Sequence, residues 1–263
     1  MATKTGRSED VYLLPNLFTS GNLFFGFYSI IASLNGSFKR AGFAILIAAV
    51  FDLLDGRIAR LTKSYSKFGE EYDSLADMVS FGVAPPLLIY LWSGLGAAPL
   101  HMSRWGWLAS FLFLACGALR LSRFNIHPKK RDFLGLPIPA AATVLASGVL
   151  LYLALDLTFP REILSLGVLV ALAFFMVSSL PYKSYKDLEL KQRRPFPVMV
   201  ILIILVSLMI IRPEAVIFSL SVAYVLSGGI LGLFNKDHAT EVKKTAPKIH
   251  LIRPVKRKRH GSK

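Results

Sequence analysis

Four aspartates stand in or beside stretches of this sequence that are otherwise apolar: Asp52 and Asp55, then Asp73 and Asp77. A carboxylate near the middle of a bilayer costs about 2.5–3.5 kcal/mol on insertion scales, so each one needs a reason to be there. Asp52, Asp55, Gly56, Ala59 and Arg60 recur at i, i+3 and i+4 spacings and share one helical face. Asp73 and Asp77 are related by i, i+4 at the start of the next helix. The polar stretch Thr62–Phe68 lets the two helices run antiparallel as neighbours, so the four carboxylates converge at one end.

Convergent carboxylates repel one another unless a cation sits between them. All-oxygen donors suit Mg²⁺, Mn²⁺ or Ca²⁺ rather than a soft metal. His101, His127, His238, His250 and His260 show no metal-binding spacing, and Cys116 is isolated. Two divalent ions bridged by shared carboxylates would clamp a diphosphate and stabilise displacement at phosphorus. Gly56 and Gly69 remove side chains where a phosphate would approach the backbone, and Arg60 offers a fork for its oxygens. Two other readings compete for these residues. In one, the acids cap helix ends and pair with Arg57, Arg60 and Lys63. In the other, they line the pathway of an ion-coupled transporter. The transporter reading is weakened because no other span carries a well-buried acid: Asp156 ends its helix at the opposite interface.

The elements that must position these residues follow from composition. The chain has 263 residues, 54% of them hydrophobic and only 18% charged, yet its formal net charge is +15, with a mean hydropathy of +0.52. Soluble domains carry about 25% charged residues, and basic nucleic-acid binders are hydrophilic. Disorder is excluded by the hydrophobicity. A single cysteine allows no disulfide within the chain. What remains is an all-α, polytopic membrane bundle. Helices long enough to cross a bilayer need about 20 mostly apolar residues. Eight stretches qualify: Leu17–Leu34, Ala41–Leu61, Leu75–Ala98, Trp105–Leu121, Leu136–Asp156, Ile163–Leu180, Val198–Ile211 and Ala215–Phe234. The first ten residues are polar, which is wrong for a cleavable signal, so the first span is expected to be retained. Pro85-Pro86 should kink or break the third span, either opening a lateral route for lipid or serving packing alone. Thr19 and Asn22, polar in an apolar span, imply a helix–helix contact.

Eight spans alternate the loops between two sides. All Lys and Arg except Lys39, Arg40, Arg104, Arg161 and Arg212 fall on one of them. Positive residues stay cytoplasmic, so both termini are expected inside, with the aspartates on the same side. Residues 1–235 then form the membrane domain, and 236–263 a basic, disordered cytoplasmic tail near anionic lipid rather than a nucleic-acid binder.

The segment Asp52-Leu-Leu-Asp-Gly-Arg-Ile-Ala-Arg60, eight residues, Gly69, three residues, Asp73, three residues, Asp77 resembles the CDP-alcohol phosphotransferase signature at every fixed position. The resemblance covers roughly residues 12–180. Three further stretches look like the phosphatidylserine synthase branch of that family: Pro15–Leu23, Leu119–Asn125 and Phe133–Ala142.

The resemblance implies a core of six membrane helices, here with two additions, and a two-metal enzyme of a bacterial-type inner membrane. It implies Mg²⁺ or Mn²⁺ as cofactors and CDP-diacylglycerol and L-serine as substrates; whether a second copy of the chain joins as a homodimer partner stays open in the sequence. Asp52, Asp55 and Asp73 would hold one metal; Asp73 and Asp77, with Asp52, the second. Asp77 would also take the proton from the acceptor hydroxyl. Gly56, Arg60, Ser66 and Gly69 would contact the CDP-lipid. Arg120, Arg123 and Asn125 would meet the serine carboxylate or the diphosphate, unless the arginines only obey the positive-inside rule. The alternative acceptors, glycerol 3-phosphate or inositol phosphate, would draw on a basic cluster such as Lys129–Arg131.

Overall fold

The structure is a computed structural model that describes residues 6–62, 66–96, 100–126, 133–178, 180–182 and 195–234. Lys63, the loop Lys129–Arg131 and the tail 236–263 lie outside them. Helices dominate: α1 Gly6–Leu34, α2 Phe38–Thr62, α3 Lys67–Asp77, a π-helical segment Met78–Val83, α4 Ala84–Trp92, α5 Leu100–Ile126, α6 Ile138–Ala154, α7 Arg161–Val177, α8 Pro195–Ile211 and α9 Pro213–Phe234. Within the described residues, each of the eight apolar stretches is mainly helical. Among the described residues, three helices are long and apolar enough to cross a membrane: Asn16–Leu34, Lys67–Trp92 and Ser103–Asn125. Ile138–Ala154 and Pro213–Gly228 are apolar but shorter. Large apolar side chains such as Phe24, Phe27, Trp107 and Ile210 stand on the outside. A soluble chain could not carry so much exposed apolar surface without aggregating.

α1 and α2 form an antiparallel hairpin around Asn35-Gly36-Ser37. Gly36 takes the left-handed φ of 70° that ends α1, and Ser37 N–H returns to the Ala32 carbonyl at 2.8 Å. Small residues bring the two backbones close, as helix packing within lipid requires. A Cβ on Gly21 would stand 2.6 Å from Cε1 of Phe51. Further along, the Ser29 hydroxyl donates to the Ala41 carbonyl (3.0 Å). On its other side, α2 lays Gly42 against Leu150 of α6.

The third span departs from expectation in two ways. It begins at Lys67 rather than Leu75, because Ser66 caps it and a polar first turn extends beyond the apolar run. Nor does Pro85-Pro86 end it. Proline lacks the N–H for the ladder and crowds the carbonyl four residues back. The chain widens to a π turn over Met78–Val83, with the Ala84 N–H reaching back to Val79. Both prolines then fall in the first turn of α4, where a missing N–H costs nothing.

One detail lies outside the all-α expectation. Phe133–Leu134 and Pro181–Tyr182 pair as two-residue antiparallel strands, β1 and β2. They are the chain entering α6 and leaving α7. Gly135 adopts φ 85° there, and its N–H bonds Leu180.

The core is built around Ile45 of α2, Phe81 of the π segment, Leu88 of α4, Phe113 of α5, Ile138 of α6 and Leu169 of α7, all fully buried. α9 joins it through Val225 and packs on α6, while α8 leans chiefly on α9. At the end of the rod far from the aspartates, the Arg161 guanidinium sits 5.9 Å from the Trp92 ring. Asp77 and Trp92 are about 22 Å apart along the helix at 1.5 Å per residue.

Candidate active site

Two helices bring the acids together. α2 carries Asp52 and α3 carries Asp73 and Asp77; carboxylate oxygens of all three lie within 4.8 Å of one another. None of these acids caps a helix. Asp52 and Asp55 lie inside α2, and Ser66 is the residue that caps α3. Asp77 is buried and Asp73 half-buried, in a place where an uncompensated charge is costly.

Asp55 stands outside this trio. It is buried one turn beyond Asp52, and its carboxylate accepts a hydrogen bond from the Thr19 hydroxyl of α1. It remains within electrostatic reach of Asp73. Asp77 accepts a bond from the Asn22 amide of α1 at 3.0 Å, and it feels the charges of Asp52, Asp73 and Arg120. The helix–helix contact expected of Thr19 and Asn22 is therefore made with the aspartates themselves. Ser80 on the π turn donates to the Asn22 carbonyl (2.9 Å). On the exposed side, Tyr72 of α3 bonds Ser20 of α1 (2.9 Å) and stacks on Phe68.

These residues fit a hard divalent cation. Their donors are all oxygen, and one buried acceptor oxygen of the site, Oδ1 of Asp73, has no hydrogen-bond partner among the described residues. Nothing among the described residues donates to it, so a bound cation would meet a lone pair that is already desolvated.

The remaining site residues divide. A Cβ on Gly56 would meet nothing nearer than Nη1 of Arg60 at 4.0 Å, so the helix face there is open. Gly69 is tight: its Cβ would stand 3.1 Å from Ser66 Oγ. The Gly69 N–H donates to that same oxygen at 2.9 Å, which makes Ser66 the cap of α3 while leaving its hydroxyl hydrogen for another acceptor. Arg60 and Arg123 are exposed. Asn125 is tied to α3, its amide donating to Ser74 Oγ at 3.0 Å. Arg120 is half-buried, its Nε without a partner among the described residues, and it lies within electrostatic reach of Asp77 and of Tyr224 of α9. Ser80, Tyr72 and Tyr224 carry no spacing signal in the sequence. Thr19 and Asn22 did carry one, as polar residues in an apolar span.

Residues 12–177 match the family described as CDP-alcohol phosphatidyltransferase. A Helicobacter pylori CDP-diacylglycerol–serine O-phosphatidyltransferase is 38% identical over 230 residues, covering 85% of this chain and 92% of its own. A Bacillus subtilis protein of the same name is 33% identical over 66% of this chain and 91% of its own. An archaetidylserine synthase of Methanothermobacter thermautotrophicus is 38% identical over 64% of this chain and 69% of its own.

Proposed function

Because the chain belongs to the CDP-alcohol phosphatidyltransferase family, we propose that it transfers the phosphatidyl group of CDP-diacylglycerol to the hydroxyl of L-serine, giving phosphatidylserine and CMP. The observation that carries this reading is the meeting of Asp52 with Asp73 and Asp77 inside an apolar bundle. Serine as acceptor is supported by the names of relatives that align over most of the chain.

Two divalent cations, Mg²⁺ or Mn²⁺, held by Asp52, Asp73 and Asp77 with Asp55 beside them, would supply positive charge to the diphosphate and to the departing CMP. The chain's own side chains do the rest. The open backbone at Gly56 and the Arg60 guanidinium receive the diphosphate, and Ser66 turns its free hydroxyl hydrogen toward the CDP-lipid. Asp77 takes the proton of the serine hydroxyl as that oxygen bonds to the lipid-side phosphorus and the bond from phosphorus to CMP breaks. CMP leaves readily, so the placement of Asp77 matters more than its basicity. Arg120, with Nε unpartnered and Asp77 within electrostatic reach, meets the serine carboxylate.

In this reading the bundle lies in a bacterial-type cytoplasmic membrane. Its eight spans are α1, α2, the rod from α3 through α4, and α5 to α9, with both termini and the aspartates on the cytoplasmic side. The lopsided distribution of Lys and Arg supports that sidedness.

Purified protein given CDP-diacylglycerol and Mn²⁺ or Mg²⁺ is expected to release CMP when L-serine is added. Excess EDTA should stop the reaction and restored cation should restart it. Absence of CMP with every alcohol tried would overturn the enzyme reading and favour an ion-coupled transporter.

A further inference from the structure

Thr19 and Asn22 lie one turn apart on α1, and each grips a carboxylate on a different helix: Asp55 on α2 and Asp77 on α3. Asn22 has no exposed surface, an expensive place for an amide within an apolar bundle. Its own backbone is held in turn, because Ser80 donates to its carbonyl from the π turn that follows Asp77. The amide, the carboxylate and the hydroxyl therefore tie α1 to α3 on both sides of the point where the helix widens.

We infer that Asn22 is the positioning residue for Asp77, fixing the rotamer in which that carboxylate joins Asp52 and Asp73. Thr19 does the same for Asp55. The Asn22 amide donates to Oδ1 of Asp77, which leaves Oδ2 for a cation or an acceptor hydroxyl. Because Oδ1 of Asn22 has no partner among the described residues, its N–H is the part of the side chain that the fold uses. Removing an outer partner of a ligating carboxylate lowers metal affinity or activity by about 10–100-fold.

Leucine is close to asparagine in size but cannot donate, so Asn22→Leu isolates the hydrogen bond. The test uses the purified full chain. A Mn²⁺ titration followed by thermal shift, without lipid or serine, is combined with kcat and KM at saturating Mn²⁺. In Asn22→Leu the metal-free Tm should stay close to that of the parent while the Mn²⁺ midpoint rises about 10–100-fold. Turnover should fall, with little change in KM for serine. If Asn22→Leu does not fold, Asn22→Ala is measured in the same way. A Mn²⁺ midpoint and kcat near the parent values in a folded variant would overturn the inference. So would a lowered metal-free Tm with an unmoved Mn²⁺ midpoint, the signature of packing alone. The inference takes the role of Asp77 from the proposed function, but the Mn²⁺ midpoint is read without substrate. It therefore decides the matter even where no alcohol yields CMP.

Discussion

Replacing Asp77 with asparagine should lower kcat for CMP release by at least about 100-fold, the lower end of the loss on removing a positioned general base. The fold should survive. Asparagine has the size of aspartate, and its Oδ1 still accepts from the Asn22 amide, so the link between α1 and α3 is kept. What is lost is the negative oxygen that, in the proposed mechanism, would ligate a cation and take the serine proton. Rates of CMP release, set beside the Tm and helix content of the same preparation, check the expectation. Near-parental turnover would remove Asp77 from its role.

The second large effect is on stability. A Cβ added to Gly26 would stand 2.6 Å from Cα of Ser80 and 2.7 Å from its Cβ. Backbone blocks it, so α1 must shift away from the π segment. Even Gly26→Ala should cost toward or beyond the upper end of the roughly 1–3 kcal/mol typical of overpacking. The same shift would loosen Asn22 from both Ser80 and Asp77, so turnover should fall together with Tm. Gly56→Ala gives the contrast. Nothing lies within 4.0 Å except Nη1 of Arg60, and alanine is the better helix former by about 1 kcal/mol. That variant should be at least as stable as the parent but bind CDP-diacylglycerol more weakly, because its methyl group occupies the open face. Thermal unfolding and KM for the lipid, measured on both variants, separate the two kinds of glycine. Equal losses of stability would contradict the packing described here.

The aspartates were legible because charge inside an apolar run is costly, and few sequences carry it without a use. Helical spacing was enough to put Asp52 with Asp55, and Asp73 with Asp77, on shared faces. It could not say which carboxylates meet. That depends on the relative rotation of α2 and α3, which leaves Asp55 against Thr19 and brings the other three together. Thr19 and Asn22 announced a contact by their polarity but not its partners, 36 and 55 residues away in the chain. Ser80 and Gly26 gave no signal. A serine and a glycine in a membrane helix are ordinary, and their roles exist only where α1 crosses the π turn. Pro85-Pro86 was legible as a disturbance of the ladder. The response, a widened turn rather than a break, belongs to the surrounding packing that holds Phe81 and Leu88 in the core. The last helices read as additions; α9 packs on α6, and Tyr224 comes within electrostatic reach of Arg120.

The most direct measurement offers purified protein L-serine, glycerol 3-phosphate and inositol phosphate separately, with CDP-diacylglycerol and Mn²⁺ or Mg²⁺. CMP and the lipid product are quantified in the same samples. CMP is expected with L-serine alone, matched mole for mole by phosphatidylserine. CMP release with a phosphorylated acceptor but not with serine would contradict that expectation.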